Sequence, residues 1–224
     1  MAHYEIEIKS LLGSKENADT LKKKMCELDP ECSCVSENKQ LNHYFKDGDI
    51  DMLCEKTRHL FDEKQQEKFK MMIEKGKNFS VRTRQKDDEV LLVVKASLDE
   101  GTSENTVARL EFEENVSISL DALDMLVEEA QFKYQAKWSR EREEFSYKGI
   151  TVCLDRNAGY GYLAEFEKVV EEDSGIDEIR KELGALMQEL GVEELGQDRL
   201  ERMFEHYNVH WSDYYGTDKT FIIE

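Results

Sequence analysis

Residues 5–9 read Glu5-Ile6-Glu7-Ile8-Lys9. A β-strand sends alternate side chains to opposite faces. Glu5, Glu7 and Lys9 therefore share one face, and Tyr4, Ile6 and Ile8 share the other. Taken alone the stretch fits a solvated face on an antiparallel strand, and a chain with 50 acidic residues will show Glu-x-Glu by chance as well. What gives it weight is recurrence of the same pattern, with both signs, on later strands.

Those strands are short and alternate in the same way. Gln40 to Phe45 reads as an aromatic strand. Phe79 to Arg84 and Val90 to Lys95 read as a hairpin across a charged turn at residues 85–89. Arg109-Leu110-Glu111-Phe112-Glu113 follows a polar loop with Gly101. Arg140 to Ser146 and Ile150 to Asp155 form a second hairpin turning near Lys148-Gly149, and Tyr162 to Glu167 is a further strand. Between them lie helical stripes. Ala18, Leu21, Met25 and Leu28 follow Ser14 and end before Pro30, the only proline. Leu120, Leu123, Leu126 and Val127 follow Ser119 as N-cap. Ile176, Ile179, Leu183, Leu186 and Leu190 begin at Ser174 and stop at Gly191. A shorter helix is predicted from about Gln197 to His206, with an aromatic tail from Trp211 that is either a last strand or a clasp. Residues 47–78 are polar and rich in Lys and Glu, and Phe69, Met72 and Ile73 give them one helix with a thin apolar face. Many strands with short antiparallel connections and flanking helices fit a closed or nearly closed barrel.

Collected by face, the charges number seven bases and seven acids. The bases are Lys9, Arg82, Arg84, Lys95, Arg109, Arg140 and Arg142. The acids are Glu5, Glu7, Glu111, Glu113, Asp155, Glu165 and Glu167. The residues between them are mostly apolar: Ile6, Ile8, Val81, Leu92, Val94, Leu110, Phe112, Val152, Leu154 and Phe166. Two architectures satisfy this. Either the apolar faces make the core and the charges face water, or helices cover the apolar outside and the charges line the inside. Like charges in i, i+2 doublets repel. Doublets of Arg suit bidentate binding of a polyanion, and doublets of Glu suit a hard divalent cation. Metal-assisted chemistry on a polyphosphate uses both.

Composition narrows the classes. The chain has 224 residues, 39% hydrophobic, enough for one large domain with a real core. A net charge of −19 argues against duplex nucleic acid or an anionic membrane as partner. No run approaches the ~18 apolar residues of a transmembrane helix, and no signal peptide is visible, so a cytoplasmic protein is expected. The five cysteines, Cys26, Cys32, Cys34, Cys54 and Cys153, read as free thiols. Tyr44 reads as packing. His206 and His210, at i, i+4, read as surface residues without a third ligand. Gly159-x-Gly161 reads as a tight turn rather than a dinucleotide fingerprint. Lys137 and Trp138 frame the basic strand, and the charge run at residues 56–77 reads as a solvated helix.

The ordered set of motifs resembles the CYTH superfamily, the triphosphate tunnel metalloenzymes, whose members include class IV adenylyl cyclases, thiamine triphosphatases and inorganic triphosphatases. The likeness runs from Glu5-x-Glu7-x-Lys9 through Asn42-His43-Tyr44-Phe45, Ser80-Val81-Arg82-Thr83-Arg84, Lys95 and Arg109-x-Glu111-x-Glu113. It continues through Arg140-x-Arg142-x-x-Phe145 and Leu154-Asp155 to Gly159-x-Gly161-x-Leu163-Ala164-Glu165-x-Glu167. Residues 47–78 lengthen the segment after the second strand, Phe145 and Leu163 stand where the family has other aromatic choices, and the tail after Val192 has no clear counterpart.

The resemblance implies an α+β fold, an eight-stranded antiparallel β-barrel (a triphosphate tunnel) with flanking helices. Residues 1–170 would form the tunnel domain, with a polar helical insertion at about 47–78. Residues 171–224 would pack helices and tail on the same domain. It implies Mg²⁺ or Mn²⁺ held by Glu5, Glu7, Glu165 and Glu167, with Glu111, Glu113 and Asp155 completing or orienting that shell. Lys9, Arg82, Arg84, Lys95, Arg109, Arg140 and Arg142 would grip the triphosphate, and Lys9 and Asp155 would act most directly in catalysis. The expected activity is hydrolysis of the terminal phosphoanhydride of ATP, thiamine triphosphate or inorganic triphosphate. The alternatives are a class IV adenylyl cyclase releasing cyclic AMP and pyrophosphate, and a non-catalytic nucleotide- or polyphosphate-binding module. A homodimer is left open.

Overall fold

The computed structural model describes residues 4–97, 109–170 and 175–223; for Tyr4, Glu5, Arg109 and Ile176 it describes the backbone alone. In chain order the elements are β1 (Tyr4–Gly13), α1 (Lys15–Leu28), β2 (Ser33–Lys46), α2 (Ile50–Thr57), a 3-10 turn (Arg58–Leu60), α3 (Glu63–Lys75), β3 (Lys77–Lys86), β4 (Glu89–Ser97), β5 (Arg109–Val116), α4 (Leu120–Glu129), β6 (Lys133–Tyr147), β7 (Ile150–Asn157), β8 (Gly161–Val170), α5 (Ile176–Leu190) and α6 (Gln197–Tyr214). The strands form one eight-stranded sheet in the order β1-β8-β7-β6-β2-β3-β4-β5. β1 with β8, β8 with β7, and β7 with β6 run antiparallel, as do β2 with β3, β3 with β4, and β4 with β5.

The chain divides into two compact units, His3–Lys39 with Ser139–Glu224, and Gln40–Trp138. In the first, Ile6, Ile8, Val152, Leu154, Ala164 and Phe166 turn one strand face toward Leu21 and Met25 of α1 and Leu183 and Met187 of α5. The Ser14 side chain caps α1 by accepting from Asn17 N–H, and Lys22 of α1 pairs with Glu143 on the same outer side. The apolar strand faces are thus covered by helices, the arrangement in which the charged faces point the other way.

The second unit repeats this plan with different helices. Phe45, Val81, Leu92, Val94 and Phe112 pack against Leu53 of α2, Phe69 and Met72 of α3, and Leu123 and Val127 of α4. Phe69 stacks on Phe112 with ring centroids 4.5 Å apart, and Phe61 meets Phe112 edge-on at 5.1 Å. Residues 50–75 therefore form two helices and a 3-10 turn where one helix was expected within 47–78, and residues 77–78 already belong to β3. Their thin apolar face is a structural cover, while the charged remainder is solvated. A capping box starts α3, the Asp62 carboxylate accepting from Gln65 N–H and the Gln65 amide returning a bond to the Asp62 backbone.

Two boundaries differ from the sequence reading, and the tail takes one of the two forms it allowed. Ser174 lies outside the described residues, and the N-cap of α5 is Gly175 at φ 93°. α6 extends to Tyr214, two turns beyond His206, because Tyr207 and Tyr214 stack on its inner side and keep the helix packed. The tail is a clasp: Gly159 N–H donates to Lys219 C=O (2.9 Å) and Phe221 N–H donates to Gly159 C=O (2.8 Å). Gly159 sits at φ +86°, and a Cβ there would lie 2.8 Å from the Tyr207 ring, so the Gly159-x-Gly161 turn is glycine for geometric reasons. Among the described residues no helix is long and apolar enough to cross a membrane.

Phe112 is fully buried between two aromatic neighbours. Phe112→Ala should cost about 3–5 kcal/mol in urea unfolding. A loss below about 1 kcal/mol would mean that α3 does not cover the sheet as described.

Candidate active site

In the first unit the polar strand face carries a chain of alternating charges. Antiparallel register places Lys9 opposite Glu165 and Glu7 opposite Glu167 on β1 and β8, Cys153 opposite Glu165 on β7 and β8, and Arg142 opposite Asp155 on β6 and β7. Arg140 Nη1 donates to Asp155 Oδ2 at 2.9 Å. Arg142 donates twice to Asp155, from Nε to Oδ1 and from Nη2 to Oδ2, each at 2.7 Å. Arg142 also bonds Glu165, Lys9 Nζ lies 3.3 Å from Glu165 Oε1, and Lys9 bonds Glu7. The order is Arg140, Asp155, Arg142, Glu165, Lys9, Glu7, with the sign changing at every step.

This face is not a solvated surface. Asp155 is 1% exposed and Glu165 8%. Leu11 and Leu163 fill the row beside Asp155, so apolar side chains interrupt the charges. Burial alone would raise the Glu165 carboxyl pKa, but Lys9, then Arg142 and Arg140, hold it well below the usual carboxylate range. Burial would likewise lower Lys9, and Glu165 and then Glu7 outweigh it and raise the ammonium pKa. Each charge is kept by its neighbours.

The second unit has its own polar face. Tyr44, Arg82, Val93 and Glu113 form one row across β2 to β5; Asn42, Arg84, Leu91 and Asn115 form the next; Lys95 faces Glu111 beyond them. Arg84 donates from Nε to Asn42 Oδ1 (2.7 Å) and from Nη1 to Glu113 Oε1 (3.0 Å), and Lys95 Nζ lies 3.1 Å from Glu111 Oε1. The Arg82 guanidinium lies over the Tyr44 ring at 4.7 Å, and Trp138 sits 6.3 Å from the same ring. Among the described residues, Arg82 Nε is a buried donor with no hydrogen-bond acceptor. Such a group is costly unless something fills the gap.

Of the predicted site residues, the structure thus brings Glu7, Lys9, Arg140, Arg142, Asp155, Glu165 and Glu167 onto one face of the first unit. Arg82, Arg84, Lys95, Glu111 and Glu113 share one face of the second. Glu5 stands opposite Val169 and Arg109 opposite Ser97 in register, but their side chains lie outside the described residues. Cys153, Glu165 and Glu167 offer ligand atoms within 4.8 Å of one another. Cys153 was visible in phase with Asp155, yet a lone cysteine carries no signal until its strand partner is known.

A family model, the CYTH domain, matches residues 73–199. The chain belongs to the CYTH family. The match includes β3 to β8, which carry the Arg82–Arg84, Glu111–Glu113, Arg140–Arg142, Asp155 and Glu165–Glu167 groups of this CYTH chain. No curated protein matches the sequence. Among solved structures, a Pyrococcus horikoshii protein is 24% identical with a TM-score of 0.61, covering 91% of this chain and 99% of its own. A candidate adenylate cyclase from Vibrio parahaemolyticus is 17% identical (TM-score 0.59, 92% and 99% covered). A Hippeastrum protein, described as a candidate adenylyl cyclase with a dominant triphosphatase activity, is 17% identical (TM-score 0.51, 90% and 96% covered). These likenesses are to the CYTH fold.

One polar group on the apolar side of the CYTH sheet escaped the sequence reading. His43 and Thr83, opposite each other on β2 and β3, reach Asp124 of α4, as does Tyr134 of β6. His43 Nδ1 lies 2.7 Å from Asp124 Oδ2, Tyr134 O–H donates to the same oxygen at 2.7 Å, and Thr83 O–H donates to Oδ1. His43 and Asp124 are 2% and 3% exposed. The quartet pins the β2–β3 register, and with it the direction in which Tyr44, Arg82 and Arg84 point.

Two predictions follow from these buried groups. Asp155→Ala leaves Arg140 and Arg142 without their shared carboxylate and should cost about 3–5 kcal/mol of stability, read by urea unfolding; a neutral result would contradict the buried charge chain. Burial would raise the Asp124 carboxyl pKa, but hydrogen bonds from His43, Thr83 and Tyr134 hold it below the usual aspartate range. A lowered carboxylate pKa stabilises the fold above the unfolded value, and that contribution disappears as pH falls through the folded one. Wild type should therefore exceed Asp124→Asn in stability at neutral pH, with the gap narrowing in strong acid. A gap that widens on acidification would contradict the assignment.

Proposed function

We propose that the chain is a divalent-metal-dependent enzyme that hydrolyses the terminal phosphoanhydride of a triphosphate-bearing small molecule. The observation that carries this reading is the buried alternation of acid and base on the first unit's polar face, with Asp155 held between two guanidinium groups. A surface gains little from such doublets, and a core would avoid them. A face that exchanges its internal partners for a cation and a polyanion has reason to keep both signs together.

Glu165 and Glu167, with Glu7 opposite Glu167, supply the hard oxygen donors that Mg²⁺ or Mn²⁺ prefer, so these residues fit the metal, and the family resemblance assigns Glu5 to the same cation. Asp155 is assigned to orienting that shell, and by the family resemblance Glu111 and Glu113 are assigned a metal-shell role. A cation bound there neutralises phosphate charge and can activate a water nucleophile. Lys9 and Arg142 would turn from Glu165 to donate to phosphate oxygens, and Arg140 would donate beside them without leaving Asp155. Asp155 would keep Arg140 and Arg142 aimed while they do so. By the family resemblance Arg82, Arg84, Lys95 and Arg109 are assigned to polyanion binding, Arg82 through the Nε that has no acceptor among the described residues. Lys9 is the candidate for neutralising charge that develops at the attacked phosphoryl group. The five free cysteines fit a reducing, cytoplasmic setting.

Hydrolysis is placed first because the Hippeastrum neighbour is described by a dominant triphosphatase activity. The second reading, supported by the description of the Vibrio neighbour, is an adenylyl cyclase. There a ribose 3′-hydroxyl attacks the α-phosphorus and pyrophosphate leaves. The same groups would serve, with a different phosphorus facing the nucleophile.

Product analysis with ATP, GTP, thiamine triphosphate and inorganic triphosphate, each with Mg²⁺ and with Mn²⁺, tests the proposal. Orthophosphate with the matching diphosphate is expected. Cyclic AMP with pyrophosphate would replace hydrolysis by cyclisation, and absence of turnover beside tight binding would leave only a binding module. Arg82→Ala should raise KM for the best substrate about tenfold or more, the worth of a lost charge-assisted hydrogen bond; an unchanged KM would remove Arg82 from the site.

A further inference from the structure

Cys153 points to the polar side of β7, while its neighbours Val152 and Leu154 point into the apolar core. It is 1% exposed. Its sulfur and the carboxylate oxygens of Glu165 and Glu167 lie within 4.8 Å of one another. Among the described residues the thiol makes no hydrogen bond, although charged side chains surround it. Glu165 is engaged by Lys9 and Arg142. A buried thiol in an apolar core acts as a small hydrophobic group, but Cys153 lies outside the apolar cluster and beside two carboxylates. Three metal-ligating groups, one of them buried without a hydrogen-bond partner, converge on one point.

We infer that Cys153, Glu165 and Glu167 form a three-donor site for a borderline-soft divalent cation of the zinc or cobalt type. Two carboxylates alone would suit a hard cation held through oxygen. A thiolate adds a soft donor, which strengthens binding of zinc, cobalt and cadmium and does little for magnesium. On binding, the sulfur–metal bond replaces the S–H bond and the proton leaves to solvent. Thiolate and two carboxylates bring three negative charges to a doubly charged cation, and Lys9 and Arg142 stand beside Glu165 to balance the remainder. Zinc-type cations then compete with magnesium for this position. Only that consequence rests on the proposed function, because the cation site itself uses the chain's own side chains without any triphosphate.

The test is a cobalt titration of the full chain in the absence of triphosphate. A saturable sulfur-to-cobalt charge-transfer band in the near ultraviolet is expected. Cys153→Ser should abolish it and weaken cobalt binding about tenfold or more, while magnesium affinity, read by competition, changes less than about threefold. Cys32→Ser should leave the band in place. A band that survives Cys153→Ser, or its absence in the wild type, overturns the inference. Zinc X-ray absorption needs no variant: one sulfur with oxygen neighbours supports the site, and no sulfur, or two or more, overturns it. A cobalt band without turnover of any triphosphate would sink the proposed function and support the cation site. Turnover without a band would overturn the cation site alone.

Discussion

The pairing of Asp155 with Arg140 and Arg142 is the interaction on which the polar face depends. A carboxylate at 1% exposure persists because three guanidinium hydrogen bonds compensate for its lost hydration. Arg142 then binds Glu165, which holds Lys9, which holds Glu7. Removing one member would uncover a charge on each neighbour, so the face behaves as a unit. The pairing is also a conformational constraint. Three hydrogen bonds across one β6–β7 pair fix both arginines on the side away from α1 and α5.

The same economy governs the second unit with weaker couplings. Arg84 divides its donors between Asn42 and Glu113, Lys95 takes Glu111, and Arg82 rests on Tyr44 with Nε unsatisfied among the described residues. Behind this face, α2, α3 and α4 cover the apolar side, and the quartet at Asp124 locks the strands that carry the arginines. Helices take one side, and charge pairs take most of the other.

Much of this was legible in the chain because strand alternation has a period of two. Ile6 and Ile8 fix where Glu7 and Lys9 must point, and Val152 and Leu154 do the same for Asp155. The helical covers were legible as stripes, down to the Ser119 cap, which accepts from Ala122 N–H. The rest depended on register, which no single strand encodes. Cys153 gains meaning only opposite Glu165. Asp124 looked like one more acid on a helix, because its partners lie 81 and 41 residues away in sequence. The two-helix form of residues 47–78 was obscured by a charged surface that hides Leu53 and Phe61, both buried. The length of α6 was hidden by aromatic residues that read equally well as a strand.

The acids and bases on the first unit's polar face, in the proposed function, hold one another until a cation and a polyphosphate replace them. A crystal structure with tripolyphosphate and Mn²⁺, read by manganese anomalous scattering, tests it most directly. The account predicts manganese beside Glu165 and Glu167, with Arg142 turned from the Glu165 carboxylate to a phosphate oxygen. Intact Arg142–Glu165 and Lys9–Glu7 pairs, with manganese and phosphate elsewhere on the surface, would contradict it.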